Sequence, residues 1–402
     1  MPANRRTVLK LAGAAMTVPA GGMAGCLGED SSKSGAAVNA SYDSWLWMET
    51  GDDGTEGVVF AYLDWATLRE FDQVTETTSG NESNTGLGGV QDPMVASPVA
   101  GLFLVMFGAG FGLFGTGLNG LLNPPEEESG GNETSSEYDG GGFEQSTAAD
   151  FSTTIDDLFI VKDVIVMGGD VDTDEIERKL TGADESEQSP GTKTFEEADS
   201  LGGYTVYEPE QSESGSDGVN AINTGDPSGF AVDENAIVLF DLSDRAQLEA
   251  AIEAQNGSRE RATVTNDDFG WLVDTAGSGH LVFGGYGSEL ERTEESPGGS
   301  TSQSGDETTE QSGGTETLNI DGTVGLSSSL TFVGTSVTTG SLALQFDKSV
   351  DEIEDSKIEQ LKEQLGSSAT EQSITVDGDR LSASANWDRN ALETTDSDSD
   401  SG

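Results

Sequence analysis

One histidine, one cysteine and only 18 lysines and arginines stand in a chain of 402 residues that carries 74 aspartates and glutamates. Each scarcity closes off a class of chemistry. With His280 and Cys26 each alone of their kind, a Cys/His nucleophile pair, a zinc site built on several histidines and dithiol redox chemistry lack the residues they need. A single cysteine also excludes disulfides within the chain, so stability has to come from packing. The shortage of basic residues leaves a formal charge of −56. Such a field repels phosphate backbones and excludes nucleic acid as a partner.

Metal and cofactor motifs are missing as well. Asp170, Asp172 and Asp174 alternate like the start of a calcium loop, but Glu175 stands where that loop needs glycine and Thr181 where it needs glutamate. The glycine-rich stretch at 277–287 leads to no Lys-Ser/Thr pair and opens no helix, so it offers no phosphate cradle. No catalytic, metal or cofactor site is expected, and the chain reads as non-enzymatic. Paired carboxylates could in principle serve a hydrolase, yet nothing in the sequence singles out a pair.

What is present is clearest at the N-terminus. Arg5-Arg6-Thr7-Val8-Leu9-Lys10 is followed by an apolar run at 11–22, too short to span a bilayer, and then by Met23-Ala24-Gly25-Cys26. Arg5, Arg6, Leu9 and Lys10 resemble a twin-arginine export signal, and Met23, Ala24 and Gly25 before Cys26 resemble a lipobox. The resemblance implies a signal peptide at 1–25, cleavage before Cys26, and a lipid on that cysteine. The mature protein would then sit on the outer face of the cell membrane, held by its anchor through a flexible Gly/Ser/Asp-rich tether at 26–40.

The acidic, lysine-poor composition resembles that of proteins exported by halophilic archaea. At multimolar salt the Debye length is about 3 Å or less, so self-repulsion is screened while the carboxylates keep the surface soluble. The layout as a whole resembles lipoproteins of that group whose function is uncharacterised: signal and lipobox, Tyr62-Leu63-Asp64-Trp65-Ala66, Gly203-Tyr204-Thr205-Val206-Tyr207 and Asp233-Glu234-Asn235-Ala236-Ile237-Val238. The resemblance brings no activity with it.

Periodicity predicts an α+β fold, an antiparallel sheet built from repeated hairpin-then-helix units with helices on one face and long disordered acidic linkers between. Trp45-Leu46-Trp47-Met48 and 58–63 read as strands, and Asp64 opens a short helix. Three clearer units follow. Strands at 158–161 and 164–167 precede a helix at 173–180; strands at 229–232 and 236–240 precede one at 244–255; strands at 326–334 and 341–346 precede one at 350–365. Asp172 with Glu175, Asp244 with Gln247 and Ser349 with Glu352 read as capping boxes. A helix at 266–275, a strand at 280–286 and a hairpin at 374–385 around Asp377-Gly378 complete the set.

These elements group into a first α+β unit at 41–180 with an apolar insert at 94–122, a second at 195–287 and a third at 318–388. The stretches 75–92, 123–150, 182–191, 211–227, the linker at 288–317 and the acidic tail at 389–402 are too polar to offset the entropy of ordering. Asn39, Asn81, Asn132 and Asn256 stand in glycosylation sequons.

The apolar insert is the other distinctive stretch. Residues 93–125 carry no charge in a protein where 23% of residues do, and the run is long enough to cross a bilayer. On a continuous helix Gly108, Gly112, Thr116 and Gly120 would form one smooth face for close helix approach, with Phe107, Phe111, Phe114 and Leu118 on another. Three readings are open: a membrane span, a core helix covered by the sheet, or a loop that touches a membrane. The first two place the protein differently. A lipid-anchored binding or structural module at the cell surface is the leading expectation, and a membrane-inserting or envelope-complex component acting through 94–122 is the alternative.

Overall fold

The computed structural model describes residues 41–50, 56–69, 92–113, 116–118, 120–122, 151–183, 193–210, 229–287, 322–333, 337–350, 353 and 355–388. The export signal, Cys26 and the tether lie outside the described residues, as do Asn39, Asn81 and Asn132 and nearly all of the linker stretches.

Among the described residues, short runs rich in apolar and β-branched side chains produce one 13-stranded sheet. Its strands are β1 (Glu49–Thr50), β2 (Glu56–Asp64), β3 (Thr154–Val161), β4 (Val164–Asp170), β5 (Phe195–Leu201), β6 (Tyr204–Pro209), β7 (Gly229–Val232), β8 (Ala236–Phe240), β9 (Leu281–Gly287), β10 (Thr323–Val333), β11 (Val337–Phe346), β12 (Glu371–Asp377) and β13 (Arg380–Asp388). Their order is β12-β13-β11-β10-β9-β2-β3-β4-β8-β7-β6-β5, with β1 paired to β2. Every pairing is antiparallel. The three α+β units expected from the sequence therefore contribute to a single sheet, which the β2–β9 pairing joins across the middle.

Seven helices accompany the sheet among the described residues: α1 (Trp65–Leu68), α2 (Pro93–Leu113), α3 (Thr173–Thr181), α4 (Arg245–Gln255), α5 (Ala262–Thr265), α6 (Asp267–Ala276) and α7 (Asp355–Gln364). They cover both faces, not one as expected. Successive strand side chains point to opposite sides, so β2 sends Ala61 and Leu63 into one apolar core and Val58, Phe60 and Tyr62 into another. On the first face, α1, α2, α3 and α7 supply Trp65, Val99, Ile176 and Leu361. On the second, α4, α5 and α6 supply Leu248, Ala262 and Phe269. The reason lies in the strands: those at the centre are apolar on both sides, and one helical layer would leave half of that surface in water.

Local chemistry sets most boundaries. Asp64 caps α1 by accepting from the Thr67 amide at 2.8 Å, and Asn266 caps α6 through the Phe269 amide at 2.9 Å. The expected capping boxes fare differently. Asp172 accepts from the Glu175 amide at 3.1 Å, but the Glu175 carboxylate turns to the Ser152 and Thr153 amides and fastens α3 to the start of β3. Asp244 makes no cap hydrogen bond; Asp241 instead accepts from Ser243 in a short 3-10 turn before α4. Ser349 donates to the Gly378 carbonyl, and α7 starts later, at Asp355.

The first aromatic run is another correction. Residues Ser41–Trp45 form a 3-10 turn, and Trp45, Leu46 and Trp47 are all buried against the second face. Three consecutive large buried side chains do not suit a strand that has one side in water. Strand β5 was missed because its sequence, FEEADSL, is mostly acidic and polar.

Helix α2 lies on the first face across β2, β9, β10 and β11. Met94, Val95, Val99, Leu102, Val105, Ala109 and Leu113 recur at helical spacing and are buried. Gly101 makes the contact close: a Cβ there would stand 2.9 Å from Phe283 Cβ and 3.2 Å from Ala61 Cβ. At the helix start, Asp92 is buried with 2% of its surface exposed, although the sequence places it in a linker. Its carboxylate accepts from the amides of Met94 at 3.1 Å, Gly366 at 3.0 Å and Ser368 at 3.3 Å, and from the Ser368 hydroxyl at 3.0 Å. Trp387 Nε1 donates to the same hydroxyl at 2.9 Å. The apolar helix is thus tied at its first turn to the residues that follow α7.

Candidate functional site

The residues singled out in the sequence do not converge. Arg5, Arg6, Leu9, Lys10, Met23, Ala24, Gly25 and Cys26 lie outside the described residues. The four-residue face of small side chains is broken, because α2 ends at Leu113. Gly108 lies on the helix, where an added Cβ would meet Ile165 Cδ1 at 3.2 Å. Thr116 belongs to the following turn and donates to the Leu113 carbonyl at 2.7 Å, while Gly120 sits buried beyond it. The side chains of Phe107 and Phe111, the burial of Gly112 and the whole of Phe114 fall outside the described residues. The glycine-rich sequence after α2 has a high backbone-entropy cost in a helix.

A different group of polar side chains meets on the second face, where β2 ends and β3 begins. Asp64 and Asp157 are register partners there, and Tyr62 stands opposite Phe159. The Tyr62 hydroxyl donates to Asp157 Oδ1 at 2.5 Å, a length typical of a charge-assisted O–H···O bond. Tyr42, on the 3-10 turn, lies against Tyr62 at 5.0 Å between ring centres and against Phe60 at 5.6 Å, and its own hydroxyl donates to the Gly277 carbonyl at 3.2 Å. Next to it, Trp45 meets Tyr204 edge-on at 6.3 Å. The turn that opens the fold is therefore clamped on the sheet by two tyrosines.

Burial pushes the Asp157 carboxyl up to about 6, the charges of Asp64 and Asp156 add to that, and the Tyr62 hydrogen bond acts the other way. The Tyr62 hydroxyl is itself pushed well above its ordinary value, by burial first and by Asp157 next. Tyr204 shows the same direction from burial and from Asp233. His280 borders this group through its carbonyl, which accepts from the Asp64 amide at 2.8 Å. Its Nδ1 accepts from the Phe332 amide at 3.0 Å, and its ring stacks on Phe332. A neutral imidazole that accepts at Nδ1 carries its proton on Nε2. Burial lowers the His280 pKa, partly offset by Asp64.

Chemically, a carboxyl pushed up to about 6 can hold a proton under mildly acidic conditions. Its aromatic members do not present a binding surface. Tyr42, Tyr62 and Tyr204 are each 3% exposed or less, their faces taken up by one another. Among the described residues, no group of three or more histidine, cysteine, aspartate or glutamate side chains could hold a metal ion. The sequence carried one overlooked signal for this group: Asp157 sits in strand register with Phe159 and Val161 and so points inward, where a carboxylate needs a partner. Nothing local named Tyr62 as that partner.

No protein-family model matches the sequence, and no curated protein and no solved structure matches it either.

Proposed function

We propose that this chain is a lipid-anchored protein of the outer membrane face, acting as a non-enzymatic binding or structural module in a high-salt setting. The observation that carries the reading is the order Arg5-Arg6, apolar run, Met23-Ala24-Gly25-Cys26, with the cysteine alone of its kind. One structural feature is consistent with it: the polar cluster at Tyr62 and Asp157 is spent on internal bonds. Fractionation tests the reading: the wild-type chain is expected with membranes, labelled by a lipid precursor, and Cys26→Ser in the soluble fraction without label. A soluble wild type, or a Cys26→Ser chain that stays with membranes, would sink it.

The second reading, insertion of 94–122 into a bilayer, has one observation in its favour: Phe103 and Leu104 are among the few large apolar side chains left exposed, at 36% and 40%. The weight lies against it. Insertion would strip Asp92 of its bonds to Gly366 and Ser368 and expose the sheet face beneath Gly101.

We also read the hairpins β3–β4, β7–β8 and β10–β11, each followed in sequence by a helix, as one recurring unit of construction. Supporting this is the shared order of strand, turn, strand and helix. Set against independence is the placement of α3 and α7 on one face and α4 on the other. Deleting 318–388 decides the matter. Native amide protection in the remainder fits independent units, and general loss of protection excludes them.

A further inference from the structure

The two edges of the sheet are built differently. At one, β5 carries Glu196, Glu197 and Asp199, and a bulge interrupts its register with β6 between Glu197 and Asp199. Charge and irregularity are how an open edge deters an incoming strand. At the other, β12 keeps unbroken register with β13 from Glu371 opposite Asn386 to Asp377 opposite Arg380. Its charges are confined to its ends, and Gln372, Ser373, Ile374, Thr375 and Val376 lie between them. All of β12 except Ile374 is exposed, and no described strand pairs with its outer side.

The turn fixes which backbone groups face outward. Gly378, at φ 65°, and Asp379 make a two-residue connection, so Asp377 and Arg380 form a hydrogen-bonded pair and such pairs alternate along the hairpin. The amides of Ser373, Thr375 and Asp377 are spent on β13. Those of Gln372, Ile374 and Val376 point away from it. Side chains alternate in step: Ile374 packs on the first-face core and Val376 lies on the same side, while Ser373 and Thr375 occupy the other.

We propose that β12 is a self-recognition edge, at which a second copy of this chain adds antiparallel about a twofold axis through Thr375. In that register Ile374 stands opposite Val376 of the second copy, and Val376 opposite its Ile374. Both pairs use outward amides, four apolar side chains gather on one face, and two threonines meet on the other. Asp377 falls opposite Ser373 of the second copy and Glu371 opposite Asp379 of its turn, so the one acid–acid pairing lies at each end of the ladder, away from its centre. An uncharged centre is what two identical chains of charge −56 need in order to approach. Joining β12 to β5 would set acids and a bulge against the ladder, so the pairing closes as a dimer and does not propagate. Long-range repulsion between the copies makes the dimer depend on salt.

The test uses the full chain carrying Cys26→Ser, which cannot form an intermolecular disulfide, measured by light scattering over a range of protein concentrations at about 0.2 M and about 3 M salt. At high salt the mass is expected to double with concentration. Val376→Pro deletes one outward amide, leaves the β12–β13 ladder its own bonds, and raises the midpoint concentration by at least about tenfold. Hydrogen exchange on the Cys26→Ser chain supplies an independent reading: the Gln372, Ile374 and Val376 amides slow as the protein is concentrated, while Ser373 and Thr375 are slow throughout. A monomeric mass under every condition overturns the proposal, as does a dimer that leaves those three amides unchanged. Protection at all three that is independent of concentration also overturns it, because another part of the same chain then covers the edge.

Discussion

Glu175 and Asp157 are carboxylates of the same α+β unit, both withdrawn from water, yet their surroundings treat their charge in opposite ways. Glu175, 8% exposed, is pushed up by burial, but the Ser152 and Thr153 amides at 3.0–3.1 Å outweigh burial and its pKa falls below the usual carboxylate value. Asp157 receives one tyrosine hydroxyl and faces Asp64 and Asp156, so burial prevails and it rises to about 6. The two differ in their supply of donors and in how strongly burial acts on the carboxyl. Asp92 belongs with Glu175 in this respect, its buried carboxylate enclosed by three amides and a hydroxyl.

If donors decide, removing a fully bonded carboxylate should cost far more than removing Asp157. The largest effect is expected from Asp92→Ala, which leaves the Met94, Gly366 and Ser368 amides without their acceptor: a loss of about 3 kcal/mol, measured as a fall in the denaturant midpoint. Glu175→Ala comes next, at about 2 kcal/mol, with the loss of protection centred on residues 151–153 by hydrogen exchange. A smaller cost at either site than at Asp157 would break the comparison.

Asp157→Asn should act in the other direction. Because the folded carboxyl titrates near 6, above its unfolded value, the native state holds the proton more firmly, and this contribution to stability declines as pH rises from about 4 to about 6. The asparagine variant is therefore expected to gain about 1 kcal/mol over wild type at about pH 8 and to match it near pH 4. Thermal unfolding across pH would show this, and a variant less stable than wild type at pH 8 would refute it. His280 slopes the opposite way: its lowered pKa gives a contribution complete above about 6.5 and lost as pH falls. The asparagine variant should accordingly leave a cleaner acid-side decline.

The smallest effect expected is that of Tyr62→Phe. Losing the hydroxyl removes the one bond that holds Asp157 down, so its midpoint should move above about 6, read from the carboxyl carbon shift in an NMR titration. A downward move would mean that the tyrosine acts on Asp157 mainly by excluding water.

Strands, turns and two helix starts, at Asp64 and Asp172, were legible in the sequence. The hairpins Gly229–Val232 with Ala236–Phe240 and Val164–Asp170 with its preceding strand follow from β-branched alternation around short polar turns, and Asp64 was readable as a helix start. Helix α2 was legible as apolar but not as to what it touches, since one composition suits a bilayer and a sheet face alike. Two local cues failed: Asp244 makes no cap bond while Asp241, three residues earlier, caps the 3-10 turn before α4, and the acid-rich β5 became a strand by pairing with β6. The Tyr62–Asp157 pair was not legible, because neither residue carries any mark of the other.

The sequence by itself determined the chain's charge, its single cysteine, the order of its export-like N-terminus and most of its hairpins, all of which depend on residues within a few positions of one another. Only the tertiary structure decided that helices cover both faces, that Asp92 holds Gly366 across 274 residues of sequence, and that Tyr62 meets Asp157 across 95. Those are matters of which donor reaches which acceptor once apolar surface has been buried, and hydrogen-bond partners chosen at such separations leave no periodicity in the chain.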